Sequence, residues 1–115
     1  MPKPKKERHV VSPPPVSLYK PQGIPVNQLQ QVVLHIDEYE AIRLVDYEGY
    51  DLAGAAENMK ISRATCGRIV EEAHKKIAEA ITTGKAILIE GGNFVLVGRR
   101  SIGGHGRGRG WGNRI

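Results

Sequence analysis

Behind Ser62, apolar residues recur at steps of three and four: Cys66, Ile69, Val70, Ala73, Ile77, Ala80 and Ile81. That period gathers them on one face of an α-helix, whereas a strand, whose faces alternate at every residue, would scatter them. Ser62 offers a side-chain oxygen to the unpaired N–H groups of a first turn, so the helix is expected to begin there. A helix of about five turns with one apolar stripe must bury that stripe against other elements. The preceding sequence supplies two. Asp37, with Glu40 three positions on, reads as an acidic capping box ahead of Ala41, Leu44 and Val45, a stripe widened by Ile42 and ended by Gly49. Asp51 opens a second, shorter helix with Leu52, Ala55, Ala56 and Met59 on its packing face. The pattern predicts a mainly α fold of three helices, and 115 residues provide for one such domain.

The flanks differ in kind. All seven prolines fall between Pro2 and Pro25, where they remove backbone donors and hold their predecessors out of helical geometry. Residues 1–25 therefore read as an extended basic arm and 26–84 as the helical domain, entered through the alternating Val32, Leu34 and Ile36. After Gly84 the period shortens to two. Ala86 to Ile89 and Phe94 to Val97 flank Glu90-Gly-Gly-Asn93, which predicts a C-terminal β-hairpin over 85–98. Apolar residues occupy both faces of that hairpin, so one face is expected to pair with a second copy of the chain, with the valine-rich N-terminal segment as the alternative cover. The Gly- and Arg-rich stretch 99–115 reads as a disordered tail.

Charge divides along the same lines. Residues 1–36 hold five Lys or Arg against one acid, 37–79 six against ten, and 80–115 six against one. Two cationic termini on an acidic body point to a polyanion as partner. Two helices joined by a tight turn, the second longer and opened by a polar cap, have the arrangement of a helix-turn-helix. Ala56 would sit where the helices touch, with Met59, Ile61, Cys66 and Ile69 facing inward. Ser62, Arg63, Ala64, Thr65, Gly67 and Arg68 would then form the outward face, the part of such motifs that enters the major groove of double-stranded DNA. Arg63 and Arg68 are suited to guanine edges or phosphates, and the Ser62 and Thr65 hydroxyls to phosphate oxygens. Lys3, Lys5, Lys6 and Arg8 at one end, and Arg99, Arg100, Arg107 and Arg109 at the other, would hold the nucleic-acid backbone.

Glu38-Tyr-Glu-Ala-Ile-Arg-Leu-Val-Asp-Tyr-Glu-Gly49, Ala55-Ala-Glu-Asn-Met59 and Ile61-Ser-Arg-Ala-Thr65 resemble a family of small uncharacterised prokaryotic proteins. Lys20-Pro-Gln-Gly-Ile-Pro25, Lys75-Lys-Ile-Ala78 and Ile89-Glu-Gly-Gly92 match it too, so the resemblance runs from about Met1 to Phe94. Those proteins are predicted DNA-binders with a helix-turn-helix like region four of primary sigma factors. The resemblance implies DNA binding and transcriptional control, with no established target or ligand; contact with the transcription machinery is a separate expectation for this chain. This chain departs from the family pattern at three positions of the motif. Lys60 stands where glycine is usual, at a cost of about 1 kcal/mol if the turn needs positive φ. Gly54 replaces Glu or Gln, and Gly67 interrupts the recognition helix at about 1 kcal/mol relative to alanine. The alternative readings are an RNA-binding module, if the termini dominate affinity, and a protein-interaction domain on a degenerate sigma-like fold.

Other chemistry finds little footing. The single cysteine, Cys66, falls on the core face and excludes an internal disulfide, which suits a cytoplasmic location. His9, His35, His74 and His105 lack ligand spacing, so no metal or cofactor is expected. Glu38, Glu40, Asp46 and Glu48 read as a solvated helix face rather than catalytic carboxylates, and no enzyme activity is expected. No apolar run is long enough to span a membrane.

Overall fold

The computed structural model describes residues 7–98. Its frame is three helices, α1 (Ile36–Ile42), α2 (Leu52–Met59) and α3 (Arg63–Thr83), with five short strands. The strands are β1 (Arg8–Val10), β2 (Leu18–Tyr19), β3 (Gln31–Leu34), β4 (Ala86–Ile89) and β5 (Phe94–Leu96). The fold is mainly helical, with the strands in two small sheets of order β2-β4-β3 and β1-β5.

The caps of α2 and α3 lie at the expected residues. Asp51 Oδ1 accepts the Gly54 N–H at 2.8 Å, and Ser62 Oγ accepts the Thr65 N–H at 3.1 Å. α1 begins two residues earlier than the Asp37 cap predicts. Its N-cap is His35, whose N–H donates to Glu38 Oε1 at 2.8 Å. Asp37 is instead turned into the fold, 7 % exposed and 3.8 Å from Arg8 Nε. The helix loosens at its far end into a π-turn over Arg43–Tyr47, where the Glu48 N–H reaches back five residues to Arg43 O at 2.8 Å.

The C-terminal hairpin is not formed. β4 and β5 belong to different sheets: β4 lies between β3, to which it runs parallel, and β2, to which it runs antiparallel, while β5 pairs in parallel with β1. The residues between them do not make a two-strand turn. Gly91 and Gly92 both have positive φ, and Gly91 O accepts the Ile36 N–H at 2.9 Å, so the link crosses the start of α1. A Cβ on Gly92 would lie 2.8 Å from both Asp37 Oδ1 and His35 Cβ, an approach only glycine allows. The apolar residues in both alternation sets of Ala86–Ile89 match a strand covered on both faces: Ala86 and Ile89 are buried, and Ile87 and Leu88 half-buried. The helices between β3 and β4 supply the long crossover that parallel pairing requires.

The valine-rich N-terminal segment, expected above as the alternative cover, supplies one strand to each sheet. Val10 in β1 is fully buried, and the chain then passes over Pro13–Pro15 to deliver Leu18 beside Leu88. The hairpin on which the expected pairing with a second copy rested is thus not formed, while Leu96 and Val97 stay exposed. Two apolar clusters result. Ala41, Leu44, Ala55, Ala56, Met59 and Cys66, with Ile69 and Val70, hold α1, α2 and the front of α3 together. Val10, Leu34, Ile36, Ala73 and Ile89 join α3 to the strands. Ile81, assigned above to the core stripe, is 73 % exposed, and the stripe ends at Ala80. Gly67 does not break α3, and a Cβ there would meet Leu52 Cδ1 at an ordinary 3.6 Å.

Candidate nucleic-acid interface

Three residues connect α2 to α3. Lys60 ends α2 with φ 61° and ψ 45°, the left-handed conformation in which glycine would be unstrained. Ile61 follows, packed against the cluster below, and Ser62 caps α3. Ala56, Met59, Cys66 and Ile69 are all buried at the contact of the two helices. Desolvation raises the Cys66 thiol pKa, so this sulfur is a small core group and a poor nucleophile.

Ser62, Arg63, Ala64 and Arg68 are exposed on the first turns of α3, and Thr65 and Gly67 are half-buried beside them. Three of these residues form a chain. Ser62 Oγ donates to Thr65 Oγ1 at 2.9 Å, and Arg68 Nη2 donates to the same oxygen at 3.2 Å. Arg68 is thereby held beside Thr65, and Arg63 is exposed on the first turn. Of the predicted backbone-binding cations, only Arg8 lies within the described residues. Lys3, Lys5, Lys6, Arg99, Arg100, Arg107 and Arg109 fall outside them. Arg8 is part of the fold, half-buried at the start of β1.

A cleft of about 870 Å³ adjoins this face. One wall is α3, through Ser62, Thr65, Arg68, Ile69 and Glu72. The other is formed by Arg8, His35, Asp37, Glu38, Gly92 and Asn93. Burial raises the Asp37 pKa, with Glu38 pushing the same way and Arg8 opposing. Glu38 accepts a bond from Lys76 Nζ at 2.8 Å, which ties α1 to α3.

Sequence reasoning placed the α1 acids in solvent, and two of them are not there. Glu40 is 1 % exposed, holding Arg43 through Nε at 2.8 Å and Nη2 at 2.9 Å. Arg43 also donates to Glu48 at 2.9 Å, and Val11 N–H reaches Glu40 Oε2 at 3.3 Å. The hydrogen bond to Glu40 raises the Arg43 pKa, so the guanidinium stays charged. Glu38 is likewise buried. Spacing alone could not separate this network from a solvated run of charges. Among the described residues, no three His, Cys, Asp or Glu side chains converge as a metal site would require. No helix among them is long and apolar enough to cross a membrane.

Residues 1–97 match the family model described as protein of unknown function DUF134. A UPF0251 protein of Caldanaerobacter subterraneus is 47 % identical over 115 residues, covering 98 % of each chain. Another, of Desulfosudis oleivorans, is 48 % identical over 98 residues, covering 85 % of this chain and 71 % of its own. A third, of Thermoanaerobacter pseudethanolicus, is 49 % identical over 94 residues, covering 82 % and 80 %. No solved structure matches the chain. With nearly its whole described length inside that match, the chain belongs to the DUF134 family of uncharacterised prokaryotic proteins.

Proposed function

We propose that this protein binds double-stranded DNA as a transcriptional regulator, with α2 and α3 acting as a helix-turn-helix of the kind found in region four of sigma factors. The observation that carries the reading is the division of the two helices. Their inner positions are small or apolar and fully packed, while Ser62, Arg63, Ala64 and Arg68 stand exposed together on the opening turns of the longer helix. That end enters the major groove in helix-turn-helix proteins, where arginine reads guanine bidentately. The small side chain of Ala64, exposed on the first turn, lets the helix backbone approach the groove closely.

The termini supply most of the attraction. Residues 7–98 hold nine Lys or Arg against twelve acids, whereas 1–6 and 99–115 hold eight and none. The body alone is thus unfavourable to DNA at long range, and α3 reads what the termini hold. Binding of the full chain to labelled duplex DNA, single-stranded DNA and RNA across a range of salt tests this reading. A preference for duplex, with a steep salt dependence that becomes shallower without residues 1–6, is expected. Equal affinity for all three nucleic acids would contradict it and favour an RNA-type or unspecific polyanion binder.

A further inference from the structure

The cleft beside Arg68 carries charges that a phosphodiester does not match. Three carboxylates line it, Asp37, Glu38 and Glu72. Two are neutralised from within the fold, Asp37 by Arg8 at 3.8 Å and Glu38 by Lys76 at 2.8 Å. Glu72 is exposed and makes no ion pair or hydrogen bond with a described residue. Arg68, one turn earlier on the same wall of α3, donates to Thr65 Oγ1 and to no carboxylate. One open cation and one open anion therefore border the same cavity, whose remaining charges cancel in pairs. Ile61 and Ile69 add apolar surface to the lining. A volume of about 870 Å³ lies in the upper part of the range of small-molecule sites.

We infer that the cleft is an effector site for a small zwitterion of the amino-acid type. Its carboxylate meets the Arg68 guanidinium, its ammonium meets the Glu72 carboxylate, and its apolar side chain lies against Ile61 and Ile69. Guanidinium and carboxylate are matched in shape as well as charge. A phosphorylated metabolite is repelled by Glu72 and a polyamine by Arg68, so a ligand carrying both signs and no net charge fits best. The regulatory consequence rests on the proposed DNA reading: a ligand that engages Arg68 withdraws it from DNA, and by linkage DNA lowers the ligand's affinity by the same factor.

The test uses the full chain without nucleic acid, titrated with L-leucine and L-phenylalanine and followed by calorimetry and by amide chemical shifts in α3. N-acetyl-L-leucine and L-leucine methyl ester serve as probes lacking one charge each. Saturable one-to-one binding is expected for the free amino acids, about tenfold or more weaker once either charge is removed. Glu72→Gln, which disturbs no contact of the fold, should weaken leucine binding to a similar degree. No saturable response to either amino acid, or leucine affinity unaltered in Glu72→Gln, overturns the site. Duplex affinity with and without saturating leucine separates the two proposals. Leucine binding in a chain that binds no duplex upholds the site and removes only its regulatory role, while duplex binding in a chain that takes up no amino acid removes the site and leaves DNA reading intact.

Discussion

Arg43→Ala and Glu40→Gln should differ in cost, although they break the same pair. Glu40 is 1 % exposed and receives two bonds from Arg43, at 2.8 and 2.9 Å. Removing Arg43 leaves a buried carboxylate with only the Val11 N–H at 3.3 Å. Breaking a buried pair in this direction costs about 3–5 kcal/mol. The Arg43 side chain is 25 % exposed, so water can reach part of the vacated space, and the lower end, about 3 kcal/mol, applies. Glu40→Gln leaves a neutral amide of the same shape that keeps one acceptor oxygen and turns its NH2 towards a former donor, while Arg43 keeps Glu48 at 2.9 Å. That change forfeits charge-assisted hydrogen bonds and costs about 1.5–2 kcal/mol. In a domain with total stability of about 5–15 kcal/mol, both losses are measurable by urea denaturation at neutral pH. The order is the decisive feature. If Glu40→Gln proved the more damaging, or if Arg43→Ala cost less than about 1 kcal/mol, Glu40 would not be a buried charge held by its partner.

Lys60→Gly relieves a left-handed residue and should stabilise the protein by about 1 kcal/mol in thermal or urea unfolding. Gly67→Ala lies in an unbroken helix with space for its methyl group, so a gain of up to about 1 kcal/mol is expected, with α3 retained by circular dichroism. The Asp37 pKa is raised above 3.8 in the fold, so the folded state binds this proton more tightly than the unfolded chain. Stability contributed by the protonated form is present at low pH and is lost as pH rises through the raised value. Unfolding of wild type and Asp37→Asn measured side by side should show the difference in favour of the variant growing with pH across that window.

The helices were legible where the signal was local. Ser62 and Asp51 announce their helices because a cap acts within one turn, and the α3 stripe is long enough to exclude other periods. The start of α1 was misplaced because Asp37 resembles a free cap in sequence, whereas its carboxylate is occupied by a buried approach to Arg8. Reading β4 and β5 as a hairpin followed from their spacing. The true partners, β3 and β1, are distant in sequence, and β1 hides among prolines with only three residues of strand. Glu40 looked solvated because nothing in the order of residues shows that Val11 passes over it. The exposed set on α3 could be picked out because it belongs to one helix, but the cleft beside it could not. Its walls come from β1, the start of α1, the Gly92 loop and α3, and only the folded chain brings them together.

The most direct test of DNA reading by α3 starts from a duplex selected out of a random pool by the full chain. Fluorescence anisotropy then compares wild type with the Arg63→Ala, Arg68→Ala double variant on that duplex and on an unrelated one, with the fold checked by circular dichroism. Each base-edge contact is worth about 1–3 kcal/mol, so the variant should lose roughly tenfold or more on the selected site while its unrelated-duplex binding, carried by the termini, changes far less. Equal affinities of wild type and variant for the selected duplex would contradict the account.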